Sequence, residues 1–218
     1  MTLGPNYFAV IGDIVKSRGL EEAERRILQE RLKSRLDLIN QRYNNDIRSR
    51  FLITTGDEIQ GLLLSLENIL PIIFEILLTL GSVDMRFGIG YGSITTEMSD
   101  YAIGMDGKAF HYAREALEAA HDYSGVRLRF RDGEKRDVTA SIDIILSLVG
   151  TVWSLWSHRQ REMALLRLSG LNQSEVALQL GVTPSAVSQR LNASRLNEVE
   201  EAQKYLIHLS RGLQLIES

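Results

Sequence analysis

Along this chain the spacing of apolar residues switches between strand-like runs and a helical period. Tyr7 to Ile11 is a continuous apolar run of aromatic and β-branched residues, which predicts a buried strand. Gly12-Asp13-Ile14-Val15-Lys16-Ser17-Arg18-Gly19 leaves it as a loop. Leu20 to Tyr43 predicts a helix, because Leu28, Leu32, Leu36, Ile39 and Tyr43 recur every three to four residues. Its Arg25, Arg26, Arg31, Lys33 and Arg35 are interleaved with acids and read as a solvated face. Asn44-Asn45-Asp46 breaks it. Arg50 to Leu66 then predicts a central hairpin turning at Gly56-Asp57, since Gly permits φ > 0 and Asp tolerates the left-handed region.

Glu67 to Leu80 predicts a second, strongly apolar helix with Pro71 near its first turn and Gly81 as its stop. Met85 to Gly92 alternates glycine with larger residues, as in a strand that admits a close neighbour or a ligand. No Gly-Lys-Ser/Thr follows, so it is no phosphate loop of the Walker kind. Met98 to Met105 reads as loop or strand. Gly107 to His121 predicts a third helix with Ala109, Ala113, Ala116 and Ala120 on a small face, and Val126 to Phe130 a further strand. This order predicts an α+β fold, an antiparallel hairpin in a sheet covered by helices.

Ala140 to Trp156 reads as a linking helix with Trp153 and Trp156 exposed or interfacial. From His158 the period is helical throughout. Arg161 to Leu168 ends at Ser169-Gly170. Asn172 and Glu175 form a capping-box pattern before a short helix, Gln173 to Leu180. Gly181 turns the chain, Val182 enters the core, and Thr183-Pro184 restart a helix as cap and first residue. Val187 and Leu191 face inward there, and Ser185, Ser188, Gln189, Arg190 and Asn192 face out. That is a helix-turn-helix layout, with Ala177 where the helices cross. Thr183, Ser185, Ser188, Gln189, Arg190 and Asn192 are its candidate DNA-binding residues, free of acids and suited to base edges and phosphates. Val199, Ala202, Leu206, Leu209, Leu213 and Ile216 make a last apolar stripe, fit for the N-terminal domain or a twin subunit. The predicted division is 1–135, a linking helix 136–157, and 158–218.

Composition changes the picture little. The 218 residues are 44% apolar and 24% charged, ordinary globular usage. A net charge of −3 supplies no general attraction to nucleic acid. The local count differs: His158 to Arg195 holds five arginines against two glutamates. Absence of cysteine excludes disulfides and thiolate metal sites. The N-terminus lacks signal-peptide character, and the apolar run near Ile144 to Trp156 reads as too short for a bilayer, so the expected place is the cytoplasm. None of His111, His121, His158 and His208 is spaced with acids as a transition-metal site.

The candidate chemistry is a pair of acids. Asp13 ends the first apolar run and Asp57 sits in the hairpin turn. If those strands are neighbours, the two carboxylates meet at one edge, where a shared Mg²⁺ can clamp a nucleotide's phosphates. The other reading makes Asp57 a turn former and Asp13 a loop cap.

Three motifs carry a resemblance. Ala9-Val10-Ile11-Gly12-Asp13-Ile14-Val15-Lys16-Ser17 resembles the first metal motif of the class III nucleotide cyclases, and Thr55-Gly56-Asp57-Glu58 resembles the second. Met85 to Gly92, with Gly107 and Ala113-Arg114, resembles their later strand and helix, a core shared with GGDEF and other palm-type domains. Joined to a helix-turn-helix, the whole is similar to the SatD family. The resemblance implies a ferredoxin-like, palm-type sheet, with Asp13 and Asp57 as Mg²⁺ ligands. Arg114 joins them as a catalytic position, and Ile14, Gly56 and Glu58 serve as further cofactor contacts. It also implies double-stranded DNA and a nucleotide as partners, and a homodimer. Ile53 and a position near Ala102 stand where cyclases read the base, and Phe110 where they place an asparagine. Nucleotide binding is therefore better supported than turnover. An enzyme, a Mg²⁺-dependent nucleotidyltransferase or cyclase, is the alternative.

Overall fold

The computed structural model describes residues 5–15, 21–54, 56–81, 83–120, 126–134 and 136–216. Lys16, Ser17 and Thr55 of the motifs above, and His121 at the end of the third predicted helix, lie outside them.

Five strands form one mixed sheet in the order β2-β3-β1-β4-β5. β1 (Asn6–Ile14) is central and pairs antiparallel with β3 (Ile59–Leu63) and β4 (Met85–Ser93). Phe8, Ala9 and Val10 are all fully buried because helices cover both faces, which is why this run is continuous rather than alternating. β2 (Ile47–Ile53) forms the predicted hairpin with β3, but at the margin of the sheet rather than its centre. β5 (Arg127–Arg131) lies parallel to β4 at the other margin.

α3 (Lys108–Glu118) covers one face over Ala9, Ile11 and Leu62. α1 (Glu22–Arg42), α2 (Ile69–Leu80) and α4 (Asp137–Leu155) share a core with Phe8, Val10 and Ile89 on the other. The glycines of β4 admit α3, not a ligand. A Cβ on Gly88 would lie 2.0 Å from the Ala113 carbonyl oxygen, and one on Gly90 2.1 Å from that of Ala109. The predicted alanine face is what allows this approach: Ala109 and Ala113 are fully buried.

Two expectations are corrected around α4. It is more than a connection: Thr139, Ile142, Leu146, Val149, Gly150 and Trp153 are buried as it packs along β5. Its tryptophans are not exposed. Trp153 and Trp156 are 1% and 5% exposed and pack on Phe74, with ring centroids 4.1 and 6.0 Å away. With 19 residues α4 is also long and apolar enough to cross a membrane by length and composition, contrary to the shorter run read from sequence, although 33% of it is buried in this fold. Its side chains cap the β5 margin: Asp143 Oδ1 accepts the Phe130 N–H at 2.8 Å and Ser154 Oγ the Val126 N–H at 3.2 Å. At the β2 margin the segment 99–102 does the same, with Arg50 N–H donating to Asp100 O at 2.8 Å and Ala102 N–H to Arg50 O at 3.2 Å.

α1 departs from a wholly solvated charged face. Arg35 donates to Thr79 Oγ1 at 3.1 Å and to Glu75 at 3.5 Å. Glu75, 1% exposed, also accepts from Arg42 and, at 2.9 Å, from the Tyr43 hydroxyl, so three donors hold one buried carboxylate.

Four helices follow: α5 (His158–Leu168), α6 (Gln173–Leu180), α7 (Pro184–Ala193) and α8 (Leu196–Ile216). One apolar cluster runs from Phe74, Trp153 and Trp156 into Met163, Val187, Leu206 and Leu213. Trp156 Nε1 donates to Ser194 O at 2.7 Å, and Gln214 Nε2 to Leu64 O at 2.8 Å. Part of the α8 stripe is covered within the chain, with Val199, Leu206 and Leu213 buried and α4 among the neighbours of α8.

Candidate functional site

The site grows from the sheet register. Gly12 faces Ile59 across β1 and β3, so one more step brings Asp13 level with Glu58 at the end of the turn. The turn closes by Thr54 N–H donating to Glu58 O at 2.8 Å. Gly56 occupies the left-handed region at φ +66° with open space where a Cβ would be. Gln29 of α1 donates to its carbonyl at 2.5 Å. Asp57 is half-buried rather than lifted clear at the tip. Its Oδ2 is buried and accepts no hydrogen bond from the described residues.

Glu58 forms a fork with Arg114 of α3, at 2.5 Å from Nη1 to Oε2 and 2.8 Å from Nη2 to Oε1. Gln60 Nε2 adds a bond to Oε1 at 2.9 Å. Burial works to raise the Glu58 carboxyl, and the Arg114 and Gln60 hydrogen bonds outweigh it and hold it below its ordinary range. Arg114 is pushed up, chiefly by those bonds to Glu58, with Asp13 among the further charges that stabilise it. Asp13, Asp57, Glu58 and Arg114 thus gather at one end of the sheet. Ile14 is buried beside them at the end of β1. The Glu58–Arg114 pair is what sequence reasoning missed. The pair forms because Ala113 of α3 packs on Gly88 of β4, which holds its neighbour Arg114 near the turn.

Among the described residues no group of three or more His, Asp or Glu is arranged so that it could hold a metal ion together. A cation here would rest on Asp13 and Asp57, with backbone and ligand oxygens completing its shell. That suits Mg²⁺, which keeps several non-protein oxygens. Asp57 Oδ2 fits such an ion, because a buried carboxylate oxygen without a donor is costly, about 1–3 kcal/mol. On the base-reading side Ala102 is fully buried and Phe110 6% exposed, so neither presents itself to a ligand. Ile53 is half-buried against the main core. Two of the histidines have neighbours: His111 pairs with Asp106 at 2.7 Å, and His208 stacks on Tyr205.

The second candidate is α6–α7. Asn172 caps α6 in the predicted box with Glu175. Gly181 at φ +64° ends it, and Val182 N–H donates to Ala177 O at 3.0 Å, closing a Schellman turn. Thr183 caps α7 through Ala186 N–H, with Pro184 at its first position. Val187 and Leu191 are buried as predicted, and Thr183, Ser185, Gln189, Arg190 and Asn192 are exposed; Ser188 is half-buried instead. The arginine count overstates a basic patch. Arg159 pairs with Glu162, Arg167 with Glu200 and Arg195 with Glu198, and Arg161 lies over the Trp153 ring at 5.3 Å. Arg190 makes no ion pair among the described residues.

A mixed α+β sheet walled by helices, with acids at the end of its central strand, defines the class of fold. The chain is similar in structure to several solved nucleotide cyclase domains. One is a dimeric guanylyl cyclase domain of the RhoGC fusion protein from the aquatic fungus Blastocladiella emersonii, at 13% identity and TM-score 0.44, over 59% of this chain and 81% of that one. The guanylyl cyclase Cya2 follows at 12% identity and TM-score 0.43, over 59% and 77%. A bacterial light-regulated adenylyl cyclase is 18% identical at TM-score 0.42, over 57% and 76%. No curated protein matches the chain in sequence. The SatD family model matches residues 7–205, and the chain belongs to that family.

Proposed function

We propose that this protein is a cytoplasmic DNA-binding transcriptional regulator that acts as a homodimer. In this reading residues 158–218 form a helix-turn-helix unit, 136–157 join it to the rest, and 1–135 bind a nucleotide through Mg²⁺ as a sensor. The observation that carries it is the Schellman turn at Gly181, which sets α6 against an α7 whose outward Ser185, Gln189, Arg190 and Asn192 include no acid. Asp13 and Asp57 would hold the cation, which would supply charge to grip phosphates, and Ile14, Gly56 and Glu58 border it. Arg114 is engaged by Glu58, so a bound nucleotide would have to share or displace that pair.

Footprinting tests the DNA reading. Protection of a duplex is expected at low to moderate salt, lost in Gln189→Ala, with a shallow salt dependence because so few arginines are uncommitted. No protection under any nucleotide condition sinks it.

The orphaned Asp57 oxygen favours a second reading: a Mg²⁺-dependent nucleotidyltransferase or cyclase, with Asp13, Asp57 and Arg114 catalytic and the last helices regulating it. A product from any nucleoside triphosphate, absent in Asp57→Asn, would establish it. The buried Ala102 and Phe110 weigh against it.

A further inference from the structure

At the end of the sheet that carries the acids, three strands present one row of charge. Ala9 and Ile11 lie in the α3-side core, so Asp13, two residues further along β1, shares their face. Gly88 and Gly90 take the backbone of α3 on that face, so Arg86, two residues before Gly88, shares it as well. The register sets Asp13 beside Arg86 and Arg86 beside Arg127. Asp13, Arg86 and Arg127 therefore stand side by side on β1, β4 and β5. The regular turns of α3 stop short of this row. They meet Gly90 at Ala109 and Ala113 and Gly88 at Ala113 and Leu117, and the helix ends at Glu118. Both guanidinium residues are half-buried rather than sealed.

Negative and positive charge separate along this rim. Asp57 and Glu58 belong to the turn before β3, on one flank of Asp13, and the two arginines lie on the other flank, on β4 and β5. A cation on Asp13 and Asp57 would leave the guanidinia as the anion-binding half of the same site. Arginine keeps its charge and offers several donors, so the bond from Arg127 Nη1 to Val126 O at 2.9 Å does not exhaust it. That bond does keep its head at the β5 margin. Neighbouring strands are about 4.8 Å apart, so Arg127 starts about 10 Å from Asp13. A lone phosphate on the cation meets the nearer Arg86; only a chain of phosphates also meets Arg127. We infer that Arg86 and Arg127 grip a phosphate chain leading away from the cation, and that Arg127 makes the site select for chain length. This rests on the Mg²⁺ reading of Asp13 and Asp57 above and adds two residues to it.

The test is titration calorimetry on the full chain at fixed free Mg²⁺, with inorganic phosphate, pyrophosphate and tripolyphosphate as ligands. Wild-type affinity should rise with each added phosphate. Arg127→Gln should bind tripolyphosphate about tenfold more weakly and pyrophosphate as before. Arg86→Gln should weaken both. Lys204→Gln, which removes an exposed charge on α8, should match the wild type. If Arg86→Gln fails to fold, Arg127→Gln at the sheet margin decides alone. ATP and GTP separate the sources of the chain: binding tighter than that of tripolyphosphate assigns it to a nucleotide, and equal binding to a free polyphosphate. A wild type indifferent to chain length, or an Arg127→Gln variant that keeps the full preference, overturns the inference. Phosphate binding that Asp57→Asn abolishes and both arginine variants keep would remove this row and leave the Mg²⁺ site standing. A chain that binds no phosphate under any of these conditions would remove both.

Discussion

At Asp57, local satisfaction and function pull apart. Its Oδ2 is buried without a donor, while the neighbouring Glu58 has Arg114, Gln60 and Thr54 around it. Asp57→Asn should therefore melt higher than wild type in chelator, by about 1 kcal/mol, and lose any Mg²⁺-dependent rise in melting temperature. Both are read from one thermal-shift plate, and a variant that is less stable in chelator refutes the orphaned oxygen. Tyr43 offers a pH test. Burial, joined by the charge of Glu75, pushes its hydroxyl up to about 12. A folded value above the unfolded one gives stability that is whole below about pH 10 and fades as the pH climbs through the folded value. Phenolate absorbance should show one of the seven tyrosines titrating late, and earlier in Glu75→Gln. Asp13 and Asp57 stood out in the sequence because each closes a patterned segment. The Glu58–Arg114 fork did not, because its partners are 56 residues apart and meet only through α3 packing.

At the level of elements, glycines with the same lack of a side chain do different jobs. In β4 they make room for α3, and Gly90→Ala would drive a Cβ to 2.1 Å from the Ala109 oxygen. The expected loss is about 3 kcal/mol or more, since neither strand nor helix backbone can yield cheaply. At Gly181 the space is open and only the left-handed backbone matters, so Gly181→Ala should lose about 1 kcal/mol. Urea melts of the two variants give the ranking directly, and equal losses would contradict the close α3–β4 contact. The β-strands, α1 to α3 and the capped α6–α7 pair were readable because local period and capping chemistry agreed. α4 was misread because a helix buried along one side only, with small residues beside large ones, has no sequence mark that tells a core element from a connector. Exposure stayed open for Trp153 and Trp156 for the same reason, since their partner Phe74 lies far back in the chain.

For the whole molecule, the apolar cluster ignores the expected division at residue 157. Phe74, Trp153 and Trp156 continue into Met163, Val187 and Leu206, and Trp156 is tied to Ser194. Heating should therefore give a single transition by fluorescence and circular dichroism together. A fragment of residues 1–157, stripped of α5 to α8, should bind a hydrophobic dye and melt without cooperativity. Two separate transitions, or a well-behaved fragment, would show the helices to be an independent unit. The margins of the sheet have a consequence of their own. Asp143 accepts the Phe130 amide on β5 and Ser154 the Val126 amide just before it, and residues 100–102 bond to Arg50 on β2. Each rim is thus partly covered, which leaves a stranger strand less backbone to pair with there and should slow runaway stacking of chains into fibrils while the fold holds.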